Sequence, residues 1–257
     1  MDYNYHTHTF RCGHAAGTER EYIETALKNG ILRMGFSDHI AFVFPDGYES
    51  GFRVPTSQVG DYFFVLRALK EEYRDRITIK IGFETEYYPK YFDAMLKNAA
   101  AWGADYLILG QHFIANEHPG GNYCGEPSNS VDELREYADC VIAAMETGAI
   151  TYIAHPDLFR FTGSDEIYAA EMRRICRASV KSDTPLEINF LGIRGGRHYP
   201  DERFWRIAGV ERAPVTFGLD AHRPEDAFDG ASLKTALDMV GRFGLNYIGE
   251  PQLRPLK

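Results

Sequence analysis

Three histidines lie within the first fourteen residues, in the stretch YHTHTFRCGH. His6 and His8 are separated by one residue, so in a strand both imidazoles face the same side. His14 follows them in what reads as the next loop. Imidazole nitrogen suits zinc, iron and manganese, whereas calcium prefers an all-oxygen shell. The stretch alone indicates a candidate metal site.

Further residues of ligand type follow short apolar runs along the chain, in the motifs SDH, GFETE, GQHF, AHPD and GLDAH. They are Asp38, His39, Glu84, Glu86, His112, His155, Asp220 and His222. Each motif alone is weak evidence for a metal site, because a polar strand end or a buried histidine would also explain it. Their repetition, however, involves seven of the nine histidines, a number too large for one ion. It predicts a centre of two or three divalent ions of zinc, manganese or iron.

The elements that must position these residues alternate regularly. Short apolar runs predict strands at 3–8, 32–39, 77–87, 105–113, 149–156, 185–190 and 214–222. Apolar residues at three- and four-residue steps predict helices at 18–29, 58–74, 90–101, 131–146, 165–181, 201–209 and 231–243. Such alternation indicates a parallel sheet, either closed into a barrel or open and doubly wound. In a barrel, the carboxyl ends of all strands meet at one face, where sites are built.

The bulk properties narrow the class of protein. A chain of 257 residues suits one barrel domain spanning 1–257. The net charge of −9 argues against a nucleic-acid partner, although bound metal ions could still attract an anionic substrate. We find no signal peptide and no apolar run of membrane-spanning length, so a cytoplasmic protein without membrane contact is expected. The oligomeric state stays open. The stretches 40–57 and 113–130 exceed usual loop lengths and are predicted to be substrate-facing lids.

Taken in order, HTHT, SDH, GFETE, GQHF, AHPD and GLDAH resemble the motifs of the PHP (polymerase and histidinol phosphatase) superfamily, from residue 6 to residue 222. The GFETEYYP and HYPD segments resemble its histidinol-phosphatase branch. The resemblance implies a distorted (β/α)7, TIM-like barrel that holds three metals. It assigns the ligands as follows: His6, His8, Glu84 and Asp220 for the first ion; Glu84, His112 and His155 for the second; His14, His39 and His222 for the third.

The same resemblance implies hydrolysis of a small phosphate monoester, L-histidinol phosphate above all, by a water that bridges the metals. Arg160 and Arg197 follow the fifth and sixth strands and are the expected phosphate clamps, with Arg194 a weaker candidate. Asp220, His222 or a metal-bound water would protonate the leaving alcohol.

Four further side-chain roles are expected. Asp38 would orient an imidazole, and Glu86 would be an alternative ligand or a substrate contact. The aromatic residues of YYPKYF, with Phe42, Phe44 and Tyr48, would form the wall for the rest of the substrate. His118 and His198 are expected to be loop residues outside the metal set.

Three alternatives stay open at this point. The substrate could be a nucleotide or sugar phosphate, or the chain could be a non-catalytic PHP module that binds metal and docks on a partner. A barrel amidohydrolase would also carry HxH and a final aspartate. That class usually needs a bridging lysine after the fourth strand, where this chain has GQHF.

Overall fold

A single eight-stranded sheet organises the chain, of which the computed structural model describes residues 1–256. Its strands are β1 (Tyr3–Asn4), β2 (Arg33–His39), β3 (Thr78–Thr85), β4 (Tyr106–Leu109), β7 (Ile150–Ile153), β8 (Leu186–Asn189), β9 (Pro214–Gly218) and β10 (Asn246–Tyr247), in that spatial order and all parallel. A separate antiparallel hairpin pairs β5 (Phe113–Ile114) with β6 (Asn122–Tyr123). Sequential parallel order requires a crossover between every two strands of the main sheet.

Helices provide those crossovers. They are α1 (Glu19–Lys28), α2 (Val59–Glu72), α3 (Phe92–Trp102), α4 (Val131–Glu146), α5 (Asp165–Ser182), α6 (Phe190–Arg194), α7 (Glu202–Glu211) and α8 (Gly230–Phe243). Local sequence sets their starts, as Thr18 shows: its side chain caps the backbone N–H of Glu21, whose carboxylate caps Thr18 in return. The seven predicted long helices are all present, and α6, only five residues long, is the unpredicted addition.

The sheet curls until its first and seventh strands meet. Thr7, just beyond β1, forms a parallel bridge with Ala221, just beyond β9. His8 N donates to Ala221 O at 2.9 Å, and Ala221 N donates to His6 O at 3.2 Å. The predicted (β/α)7, TIM-like barrel is therefore confirmed. Its distortion lies at this seam, where the two-residue β10 pairs with the start of β9.

Strand alternation divides the apolar residues into two layers. Leu107 and Leu109 of β4 face outward into the large core between sheet and helices, whereas Tyr106 and Ile108 face the barrel interior. Interior tyrosines from β1, β4 and β7 fill the space beneath the carboxyl ends of the strands. The barrel is consequently packed with side chains below and leaves its cavity at the carboxyl-end face.

The predicted strands overrun the observed ones at their carboxyl ends. The fourth was predicted as 105–113, but its ladder stops at Leu109 and the chain turns into the β5–β6 hairpin. The first was predicted as 3–8, but only Tyr3 and Asn4 join the ladder before the Thr7 bridge. The overrun segments hold most of the ligand-type residues, whereas His39 and Glu84 lie within β2 and β3. Within residues 1–256 no helix has the length and apolarity required to cross a membrane.

Candidate metal centre

The carboxyl ends of the strands bring the predicted ligands together. They are His6 and His8 after β1, His14 in the following loop, His39 at the end of β2, Glu84 in β3, His112 after β4, His155 after β7, and Asp220 with His222 after β9. All but His6 line one cavity, and His6 lies directly beneath its floor with its side chain fully buried. Residues up to 216 positions apart in the chain thus share one site.

Glu84 is the centre of the cluster. Its buried carboxylate lies within 3.6 Å of nitrogens from five imidazoles: Oε2 faces His6 (3.5 Å), His8 (3.5 Å) and His39 (3.2 Å), and Oε1 faces His112 (3.6 Å) and His155 (3.0 Å). One carboxylate oxygen therefore faces each half of the histidine set. This is the placement that a carboxylate bridging two ions requires.

Asp220 forms the second acidic point of the centre. Its Oδ1 lies 3.6 Å from His6 Nε2, 3.3 Å from His8 Nε2 and 3.3 Å from His222 Nδ1. Its other oxygen accepts a hydrogen bond from Asn189 Nδ2 at 3.0 Å. Asn189 thereby fixes the carboxylate so that Oδ1 points at the imidazoles.

Two of these residues have unusual backbone conformations. His155 has φ 31° and Asp220 has φ 47°, both in the left-handed region that non-glycine residues seldom adopt. Each lies two residues beyond the end of a parallel strand. Such conformations are strained and cluster at functional sites, where the surrounding structure holds them. Here they turn the side chains of His155 and Asp220 back over the barrel mouth.

Two glycines, Gly110 and Gly218, have no side chain where the carboxylates of Glu84 and Glu187 lie. A Cβ added to Gly110 would lie 1.8 Å from Glu84 Oε1, and one added to Gly218 would lie 1.9 Å from Glu187 Oε2. No side chain fits at these distances. Gly218 ends β9, next to the strand of Glu187, and Gly110 directly follows β4, next to the strand of Glu84, so the sheet itself makes room for both carboxylates.

The donor set fits divalent metal ions. Buried atoms of the centre that meet no hydrogen-bond partner within the described chain include His6 Nε2, His39 Nδ1, His155 Nδ1 and Asp220 Oδ1. Buried polar atoms are normally paired, because leaving them unpaired is costly. Ligation to a cation would satisfy such atoms. Several triads of nitrogen and carboxylate oxygen, including His6–His8–Glu84, have all their donor atoms within 4.8 Å of one another.

The grouping of the histidines differs in part from the expected ligand sets. His39 belongs to one compact triad with His8 and His222 and to another with Glu84 and His112. His14 joins no such triad, although its ring centroid lies 4.9 Å from that of His222 and 5.3 Å from that of His39. A third ion held by His14, His39 and His222 stays a prediction.

The electrostatics of the centre are those of a cation site. Burial lowers the pKa of His6, but the carboxylates of Glu187, Asp220 and Glu84 outweigh this effect and raise it to about 10. Burial raises the pKa of Glu84 and Asp220, yet the surrounding imidazoles hold both values well below the ordinary range. Without metal, the carboxylates attract protons to His6. Metal ions would compete for the same place, so their binding releases protons.

Three buried carboxylates each lie next to the Nδ1 atom of one imidazole, on the side of the ring away from Nε2. Glu187 Oε2 lies 2.9 Å from His6 Nδ1, Asp38 Oδ1 lies 3.4 Å from His8 Nδ1, and Glu86 Oε1 lies 2.8 Å from His112 Nδ1. Partners of this kind fix which ring nitrogen faces a metal. The position of Asp38 agrees with its predicted orienting role.

The structure places Glu86 differently from both expected roles. Its oxygens are taken by His112 and by the guanidinium of Arg53, and it does not line the cavity. Glu187 was not predicted at all. Its sequence signal is an acidic residue between two apolar ones in the segment PLEINF, of which Leu186–Asn189 become a fully buried strand.

The cavity above the centre has a volume of about 440 Å³. Its aromatic lining consists of Phe52, Phe113, Tyr123 and Tyr199, none of which was predicted as the substrate wall. The expected wall is wrong in its main members: Phe42 and Phe44 are 5% and 1% exposed and pack in the core. The loop after β2 turns these rings inward and presents Phe52 instead.

The three candidate arginines have separate positions. Arg197 lines the cavity, and its Nη1 donates to the Tyr199 hydroxyl at 2.9 Å. Arg160 is exposed and does not line the cavity, so its role as a phosphate clamp is not supported by this arrangement. Arg194 donates to the backbone carbonyls of Leu219 and Asp220, at 2.7 and 2.6 Å. It thus supports the strained turn at Asp220.

The two extra histidines are loop residues, as expected. His198 Nε2 lies 2.7 Å from Leu158 O, and the His118 ring packs edge-on against Phe44 with centroids 4.4 Å apart. Neither lines the cavity. The candidate centre accordingly comprises the seven histidines at the strand ends and in the loop after β1, without His118 or His198.

Fold and site together define a TIM-like α/β barrel with a histidine–carboxylate cluster of metal-ligand type at the carboxyl ends of its strands. Residues 4–190 match the family model of the PHP domain. This match covers most of the chain, and the protein belongs to the PHP domain family.

Its relatives within that family are named histidinol-phosphatases. The protein from Lactococcus lactis subsp. lactis is 31% identical, over 96% of this chain and 92% of its own. A protein from Deinococcus radiodurans named "Probable histidinol-phosphatase" is 28% identical, over 92% of this chain and 93% of its own. In fold, the chain is similar to the crystal structure of histidinol phosphate phosphatase from Lactococcus lactis in complex with zinc, L-histidinol and phosphate. The TM-score is 0.73 at 20% identity, over 96% of this chain and 95% of that one.

Proposed function

We propose that this protein hydrolyses L-histidinol phosphate to L-histidinol and phosphate at a centre of two or three divalent ions. One observation carries the proposal: six histidines and two carboxylates line a cavity that also holds a guanidinium and four aromatic rings, and a seventh histidine, His6, is buried next to them. The family relatives named histidinol-phosphatases support it. Zinc is the first ion to test, because a protein of the same fold was solved with zinc, L-histidinol and phosphate.

The residues of the centre divide into ligands and substrate contacts. Ions held there would supply a water of lowered pKa as nucleophile and neutralise the phosphate oxygens. His6, His8, Glu84 and Asp220 would hold one ion, and Glu84 would bridge to a second with His112 and His155. The remaining histidines of the loop after β1, of β2 and of the end of β9 would hold a third. Because the pKa of Asp220 is held well below its ordinary range, it serves as a ligand rather than as a proton donor.

Side chains in the walls of the cavity would bind the substrate. Arg197 stands beside Tyr199 at the cavity edge, where its planar guanidinium can pair with two phosphate oxygens. Phe52 and Phe113 stack with centroids 5.7 Å apart and an interplanar angle of 25°. These rings offer an apolar face to the imidazole of L-histidinol phosphate, and their π-electrons suit its cationic groups.

The test is phosphate release by the zinc- or manganese-loaded protein. L-Histidinol phosphate is assayed beside a panel of nucleoside monophosphates and sugar phosphates, and we expect it to have the highest kcat/KM. Preference for another ester would overturn the substrate but not the phosphatase. If no ester were hydrolysed while metal was bound, the chain would be the non-catalytic module instead.

A further inference from the structure

A buried ionic cluster lies beside the metal centre and is not part of it. Arg53, from the loop after β2, donates through its guanidinium to Glu86, after β3, and to Glu117, in the loop between β5 and β6. We call these three residues the Arg53 cluster. The side chains of all three are fully buried.

The cluster contains one guanidinium for two carboxylates, which are stabilised in different ways. Glu117 accepts further hydrogen bonds from the Tyr88 hydroxyl and the Ser50 hydroxyl, both at 2.7 Å. Arg53 Nη1 donates to Ile40 O at 3.0 Å. Glu117 is therefore compensated by neutral donors and by Arg53. Glu86 has one oxygen on Arg53 and the other on His112, without any further charged partner.

That second contact connects the cluster to the metal centre. Glu86 Oε1 lies 2.8 Å from His112 Nδ1, so it accepts the ring proton on this side. The opposite nitrogen, Nε2, then carries the lone pair and faces Glu84 Oε1 at 3.6 Å. A carboxylate behind an imidazole fixes its tautomer and orientation and raises its basicity as a ligand.

The cluster also joins the two segments that form the cavity wall. Phe52 precedes Arg53 in the chain, and the Arg53 guanidinium carbon lies 5.0 Å from the Phe52 ring centroid. The Phe52 ring packs edge-on against His39 at 5.2 Å and stacks on Phe113, the neighbour of His112. Arg53 thus contacts both the ring that lines the cavity and the carboxylate that holds a ligand.

We propose that Arg53 is a positioning residue: by fixing Glu86, it holds His112 in the orientation that binds metal, and it ties this ligand to the Phe52 wall. The inference rests on the metal role proposed for His112 and not on the identity of the phosphate ester. A buried ion pair is a weak source of stability, because desolvation offsets its attraction. Its orienting effect on His112 gives this cluster a purpose besides stability.

The test separates orientation of His112 from general stabilisation. Zinc affinity is measured by competition with a chromogenic chelator for the wild type, Arg53→Met, His112→Ala and the double variant. We expect Arg53→Met to weaken the binding of one zinc ion by about 10- to 100-fold, the usual effect of losing a partner behind a ligand. In the His112→Ala background the same substitution should have no further effect on zinc affinity.

A second variant guards against failure to fold. Glu86→Gln leaves Arg53 paired one-to-one with Glu117, so the buried charge stays balanced, and only the charged partner of His112 is lost. We expect about a tenfold loss of zinc affinity with unchanged circular dichroism. Arg203→Met is the matched control, since Arg203 pairs with Asp201 and Asp165 away from the cavity. It should bind zinc as the wild type does.

The outcomes are distinguishable. Wild-type zinc affinity in folded Glu86→Gln, or equal losses from Arg53→Met with and without His112, would overturn the inference and leave the metal centre standing. Zinc affinity unchanged by His112→Ala would overturn the ligand role of His112 and the inference with it. A wild-type protein that binds zinc but releases phosphate from no ester would refute only the proposed activity.

Discussion

Glu84 gives the sharpest prediction at the scale of single residues. Its two oxygens face five imidazoles, and both must be negatively charged acceptors to bridge two ions. Glu84→Gln preserves the shape of the side chain but replaces one oxygen with an amide NH2 group, which cannot ligate a metal, and removes the negative charge. We expect loss of bound metal, measured by inductively coupled plasma mass spectrometry, and a fall in phosphate release of at least about a hundredfold.

The control for this variant is Glu146→Gln, because Glu146 is exposed at the end of α4. It should retain the wild-type metal content and activity. A Glu84→Gln protein with its full metal complement would contradict the bridging role of Glu84.

Asp157 predicts a pH dependence of stability. Its buried Oδ2 accepts hydrogen bonds from Asp201 N at 2.6 Å and Trp205 Nε1 at 2.9 Å, and burial raises its pKa from 3.8 to about 7. Between these values the folded state holds a proton that the unfolded state has lost. The contribution of Asp157 to stability is therefore greatest below pH 4 and is lost as the pH rises towards 7.

The substitution Asp157→Asn removes this titration and keeps an oxygen for both donors. Its free energy of unfolding, measured by urea titration from pH 5 to pH 8, should rise relative to that of the wild type up to about pH 7 and then level off. The comparison cancels the histidines and carboxylates that both proteins share. A difference that stays constant across this range would show that Asp157 titrates normally.

At the scale of elements, the strand ends leave space for the site by means of glycine. Gly110 follows β4, and an alanine Cβ there would overlap Glu84 Oε1 at 1.8 Å and approach His112 Cε1 at 2.8 Å. Both atoms belong to the proposed centre. We expect Gly110→Ala to displace Glu84 and lower zinc affinity at least about tenfold, measured by the same chelator competition.

Gly241 in α8 offers the matched control. A Cβ at this position meets no atom within 4 Å, and alanine is the better helix former. Gly241→Ala should leave zinc affinity unchanged and raise the free energy of unfolding by about 0.5–1 kcal/mol. If Gly110→Ala bound zinc as tightly as Gly241→Ala does, Glu84 would not occupy the place assigned to it.

The elements also explain how far the sequence could predict the site. Ligands at strand ends were predictable, because a parallel barrel gathers its carboxyl ends on one face whatever the loops do. His6, His112 and Asp220 are examples. The meeting of Arg53 with Glu117 was not predictable, since both lie in irregular segments without a periodic signal. The same absence of periodicity explains why Phe44 was expected at the cavity and packs in the core.

At the scale of the whole molecule, the protein and its proposed substrate are both negatively charged and therefore repel each other. The protein carries −9, and a phosphate ester is an anion. Among the described residues, Arg197 is the one arginine or lysine that lines the cavity, beside two carboxylates. One guanidinium cannot reverse such a field. Divalent ions can, because they are the largest local charges wherever they bind. Binding of the substrate should therefore depend on metal as strongly as the chemistry does.

The metal ions should also stabilise the folded barrel. The proposed ligands come from β2, from β3 and from the segments after β1, β4, β7 and β9, so each ion connects elements far apart in the chain. The unfolded chain cannot gather these residues, and ions therefore bind the folded state and stabilise it. At a free concentration of 100 times Kd, one ion contributes about 2.7 kcal/mol. For a protein of this size that corresponds to a Tm change on the order of 5–10 °C.

We therefore expect chelation, which removes every ion of the centre, to lower Tm by at least that amount, measured by differential scanning calorimetry, and zinc or manganese in excess of the chelator to restore it. Glu84→Gln should lose most of this response, because its two half-sites no longer share a carboxylate. Gly241→Ala should retain the response in full. If the chelator lowered the Tm of Glu84→Gln as much as that of the wild type, the stabilising ion would lie outside the proposed centre.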